Sequence, residues 1–103
     1  MRPRPTALGW IDPMVTEMPE WDAAQVRRLA RRLGYALVWP PEITLLPLVD
    51  QVRGADVDAV ITPSPLHLDV LMLHAVMCVA EVETATPRMS FARWTAFSGR
   101  RQG

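Results

Sequence analysis

The chain has 103 residues, half of them apolar, which is room for one small hydrophobic core and excludes a second large one. Eleven basic residues, every one arginine, balance eleven acidic ones, so no net field draws the molecule to nucleic acid or to an anionic membrane. A single cysteine excludes an internal disulfide, and no apolar run approaches the roughly 18 residues of a membrane span.

The apolar stretch after the basic first residues is broken by Asp12 and Pro13, so it does not read as a signal-peptide core, and a cytoplasmic protein is expected. Two Arg-Pro pairs predict a disordered lead-in over residues 1–6, with a single α/β domain over 7–97 and a disordered tail over 98–103. Ala7 to Ile11 reads as a short buried strand and Pro13 to Trp21 as loop. Asp22 is the expected cap of a helix that repeats Val26, Leu29, Ala30 and Leu33 on one face and stops at Gly34. Trp21, just before that cap, reads as a hydrophobic staple.

Tyr35 to Trp39 reads as a second strand closed by Pro40 and Pro41. Thr44 is the expected cap of a helix through Leu45, Leu48, Val49 and Val52, with Pro47 in its first turn and Gly54 as its stop. Ala59 to Thr62 is a third strand, and Ser64-Pro65 opens a helix that is apolar on nearly every side. A switch from helix to strand is expected near Met77 to Val79, since Ala80, Val82 and Thr84 then alternate with Glu81 and Glu83. Ser90 to Phe97 reads as a last strand or a docked tail. Strands alternating with helices predict a small, mostly parallel sheet with helices on both faces.

Three blocks in this order resemble the catalytic domain of the serine recombinases, the resolvases and invertases. They are Gly9-Trp10-Ile11-Asp12-Pro13-Met14, the helix with Gln25, Leu29 and Gly34-Tyr35, and Val57 to Leu68. The resemblance implies the fold but not the chemistry: the family's first arginine falls on Asp12, its nucleophilic serine on Met14, and its later Asp, Arg and Arg on Leu66, His67 and Val70. A thioether cannot attack phosphorus, and a carboxylate repels the phosphate that guanidiniums would steady. No catalytic, cofactor-binding or metal residue is therefore assigned, and a non-catalytic domain is expected.

The remaining candidates are weighed by residue type. Phe91, Trp94, Phe97 and Met72 are the candidates for protein contact, with self-association as a homodimer the expected use. Arg27, Arg28, Arg31 and Arg32 share the outer side of one helix and, with Arg2, Arg4, Arg100 and Arg101 of the expected flexible ends, are the alternative, for nucleic acid, although a solvated face is the simpler reading. A small-molecule or hydrolytic site near Ser64, His67 and Asp69 is a remote alternative. His67 and His74, seven apart, would share a helix face, but a metal pair favours a spacing of four. Cys78, among Val76, Met77, Val79 and Ala80, reads as a buried and inert thiol.

Overall fold

A computed structural model describes residues 4–41 and 46–94. In chain order the elements are β1 (Thr6–Gly9), α1 (Pro19–Leu33), β2 (Ala36–Val38), α2 (Leu48–Ala55), β3 (Ala59–Thr62), a 3-10 turn (Pro65–His67), α3 (Val70–Met77), β4 (Glu81–Thr84) and β5 (Met89–Phe91). They form an α/β domain around one five-stranded sheet in the order β2-β1-β3-β4-β5, parallel except for the antiparallel β4–β5 pair.

This order dictates where the helices go. The chain moves one way along the sheet from β1 to β2 and the opposite way from β2 through β3 to β4. Right-handed crossovers then put α1 on one face and α2 and α3 on the other. Each face has its own core. Val26, Leu29 and Ala30 of α1 pack on Ala7, Ala59 and Ile61, while Leu48, Val52 and Val76 from α2 and α3 pack on Leu8, Val60 and Val82. Neighbouring strand residues thus serve opposite cores, which is why Ala59-Val60-Ile61-Thr62 is buried throughout.

Several element boundaries differ from the sequence expectation, each for a local reason. β1 starts at Thr6, one residue before Ala7, because Asp58 accepts the Thr6 N–H and Thr6 accepts the Asp58 N–H. It ends at Gly9, although Trp10 N–H still donates to Ile61. α1 begins at Pro19 rather than after Asp22, since a proline at the first helical position has no N–H to satisfy. Asp22 thus lies in the first turn, beside Glu20, where the helix dipole favours a negative charge. Trp21 is no staple: it is 55% exposed. Gly34 stops α1 as expected, in the left-handed region at φ 85°.

The expected cap Thr44 lies outside the described residues. α2 begins after Pro47, and Gly54 sits inside it while Asp56, at φ 53°, turns the chain out. The Ser64-Pro65 signal is real but opens only the 3-10 turn, with the Ser64 hydroxyl accepting from Leu66 N–H. Leu68 is extended, and α3 restarts under a second cap, the Asp69 carboxylate accepting Met72 N–H at 2.7 Å. α3 ends at Met77, within the expected switch, and β5 (Met89–Phe91) starts one residue before the expected last segment and takes in its Ser90 and Phe91.

Candidate functional site

In a doubly wound sheet the connections leave neighbouring strands for opposite faces at one point, and a crevice opens there beyond the carboxyl ends of the strands. Here that point lies between β1 and β3. A crevice of about 420 Å³ occupies it, walled by the loop after β1, the first turns of α1, and the segment after β3. Trp21, Asp22, Ser64 and His67 line it, with Glu17 and Met18 at its rim.

The loop after β1 is folded by its own sequence. Asp12 Oδ1 accepts Met14 N–H, and the Asp12 carbonyl accepts the N–H groups of Val15 and Thr16, making a single tight turn opened by Asp12-Pro13. His67 fastens this turn to the segment after β3. Its Nδ1 accepts Asp12 N–H at 2.9 Å, its carbonyl accepts the Trp10 indole N–H at 3.1 Å, and Thr62 donates its hydroxyl to the Trp10 carbonyl. Because Nδ1 accepts, the neutral ring carries its proton on Nε2. Nε2 lies 3.8 Å from Asp22 Oδ2, which in turn accepts the Thr16 hydroxyl. The His67 side chain is only 4% exposed, and burial lowers its pKa, while the carboxylates of Asp22 and Asp12 pull in the other direction.

The remote constellation Ser64, His67 and Asp69 is not assembled as a relay. The Asp69 carboxylate is occupied as the cap of α3, the Ser64 hydroxyl as the cap of the 3-10 turn, and the carboxylate facing His67 is Asp22. Asp22 and Thr16 were missed because their roles depend on where α1 starts and on His67, which follows Asp22 by forty-five residues in the chain. His67 and His74 do not share a helix face: Leu68 breaks the chain between them, His67 is buried, and His74 meets the Trp94 ring at 5.8 Å between centroids. Among the described residues no group of three or more His, Cys, Asp or Glu is placed to hold a metal ion. Cys78 is exposed, not buried, because α3 has ended and the thiol turns outward to donate to the His74 carbonyl.

Two other surfaces stand out. Arg27, Arg28, Arg31 and Arg32 are all exposed on α1. Arg4, already grouped with them by sequence, shares a shallow depression with Arg27 and Arg31, and the structure adds Arg88, which shares another with Arg28 and Arg32. The second surface is apolar. Leu66, Val70 and Leu71 are 78%, 80% and 81% exposed and form a ridge where the 3-10 turn meets α3. Of the expected contact residues, Met72 and Phe91 are partly buried against the core, Trp94 is half exposed beside His74, and Phe97 lies outside the described residues.

Comparison with protein-family models, with curated proteins and with solved structures returns no match to this chain. Among the described residues no helix is long and apolar enough to cross a membrane.

Proposed function

We propose that this chain is a non-catalytic domain, similar in kind to the serine-recombinase catalytic domain, that works through protein contact and pairs with a second copy of itself. The observation that carries this reading is the ridge of Leu66, Val70 and Leu71, three large aliphatic side chains in one place with most of their surface in water. A two-fold axis beside the ridge lets one surface cover its own copy, which is the commonest closed arrangement. The recombinase resemblance draws support from position. Of the residues matched to that family's chemistry, Leu66 and His67 line the crevice at the carboxyl end of the sheet and Asp12 is hydrogen-bonded to His67, while Met14 and Val70 stand exposed outside its lining. None of the five carries a hydroxyl or a permanent cation, so the reading is of a partner surface and not of a serine-type phosphoryl-transfer site.

Light scattering across the micromolar range tests this. A mass near twice the chain mass is expected, with Leu71→Glu returning it to the monomer at unchanged thermal stability, because an exposed side chain contributes little to the fold. A wild-type protein that stays monomeric at every concentration overturns the reading.

One specific observation favours a second reading. The six arginines Arg4, Arg27, Arg28, Arg31, Arg32 and Arg88 flank one helix of a chain with no net charge, a segregation that suits a phosphate backbone. If all six engaged phosphates, log affinity for duplex DNA would fall against log salt with a slope of about −5. Affinity too weak to measure at low salt would leave the arginines as a solvated face.

A further inference from the structure

The geometry points to the crevice between β1 and β3 as a binding site for an uncharged, hydroxyl-bearing ring, a sugar or the ribose of a nucleoside, that excludes phosphorylated forms. This stands independently of the pairing reading. The reason is a donor and an acceptor held apart. His67 Nε2 and Asp22 Oδ2 lie 3.8 Å from each other, too far for a hydrogen bond, and both residues line the crevice.

Neither group can turn away to satisfy itself. The His67 ring is fixed because its Nδ1 is committed to Asp12 N–H and its side chain is 4% exposed. The Asp22 carboxylate is fixed because the same oxygen accepts the Thr16 hydroxyl. What completes such a pair is one atom that accepts from N–H and donates to carboxylate. A hydroxyl does both. An ammonium has no lone pair for His67, and a carboxylate or phosphate has no proton for Asp22.

The walls select further. Trp21 is 55% exposed and Met18 61% exposed at the mouth, which offers an apolar face for a flat or puckered ring. The Ser64 hydroxyl and the Gln25 amide supply further polar partners for a polyol. Among the described lining residues none is basic apart from the neutral His67, whereas Glu17 and Asp22 are acidic, so two carboxylates oppose an added phosphate against the weaker pull of the α1 N-terminus. The volume, about 420 Å³, is within the usual span of small-molecule sites, roughly 300–1,000 Å³.

The test is a titration of the full chain, followed by tryptophan fluorescence and by the His67 and Trp21 ring signals in NMR spectra. The probes are a panel of common monosaccharides, the four ribonucleosides, and the corresponding monophosphates. Saturable binding of at least one uncharged compound at millimolar concentration or below is expected, tenfold or more tighter than any monophosphate. A response to monosaccharides alone identifies a free sugar as the ligand, and a response to nucleosides identifies the ribose. Trp21→Ala, which removes an exposed side chain, and Asp22→Asn, which faces His67 with a competing donor, should each weaken binding at least tenfold. Absence of saturation by every uncharged compound, monophosphates binding as tightly as their nucleosides, or unchanged affinity in Trp21→Ala would overturn the assignment.

Discussion

At His67 only the neutral ring satisfies the contacts it makes, since protonating Nδ1 would set a donor against the Asp12 N–H that now points at it. Its pKa in the fold is therefore below the ordinary 6.5, with burial as the main cause. In acid the unfolded chain takes up the proton first, so the stability His67 contributes is intact above about pH 6.5 and declines as pH falls toward the lowered folded value. Chemical denaturation at a series of pH values should show this decline, and His67→Asn, which keeps an acceptor for Asp12 N–H but does not titrate, should flatten it. Gly9 is a second case of one residue setting a local arrangement. A Cβ there would lie 2.6 Å from the Trp39 ring, so Gly9→Ala should displace that indole. A loss of about 1–3 kcal/mol and an altered tryptophan emission are expected from such overpacking. In the sequence Gly9 is legible only as part of a motif, because the ring that needs it is thirty residues away.

Among the elements, α1 shows what sequence periodicity conveys and what it leaves out. Val26, Leu29 and Ala30 are buried as their spacing predicts, and Gly34 ends the helix in the conformation only glycine adopts freely. The start was misplaced because Asp22 looks like a cap, whereas Pro19 begins the helix three residues earlier. The crevice therefore escaped notice: with α1 starting at Asp22, its carboxylate would belong to a cap and not to a wall. α3 repeats the lesson, since Ser64-Pro65 and Asp69 are two start signals five residues apart and the chain uses both. Asp69→Ala should remove the cap of α3 and cost about 1 kcal/mol in thermal or urea melts. Because α3 is short, that variant should also loosen the Leu66, Val70 and Leu71 ridge and shift any monomer–dimer balance toward monomer.

For the molecule as a whole, alternating apolar strands and amphipathic helices made the parallel α/β sheet legible, and the two cores follow from it. β5 was legible only as one of two readings of Ser90 to Phe97, and its bounds and antiparallel sense were not, because Met89-Ser90-Phe91 has too few residues to show a period. Val60 sits at the centre of β3, fully buried between β1 and β4. Val60→Asp should cost several kcal/mol or prevent folding, since the carboxylate has neither water nor a partner there. Arg28→Ala, on the exposed side of α1, should be within about 0.5 kcal/mol of neutral in the same melts. Met14, at the position matched to the recombinase serine, is 90% exposed, so Met14→Ser should fold normally. It should still form no covalent adduct with DNA, as read by mass spectrometry, because among the described residues no guanidinium lines the crevice to steady a phosphate.

The two outermost strands, β2 and β5, are each three residues long. A growing fibril needs a run of free backbone donors and acceptors long enough for the next chain to register against, and runs of this length are a poor template. Arg88 blunts the β5 side further, its guanidinium spread over the Met89 carbonyl, the Ser90 hydroxyl and the Glu83 carboxylate. Association of this protein should therefore saturate at a closed pair, and prolonged incubation at high concentration should raise no thioflavin signal.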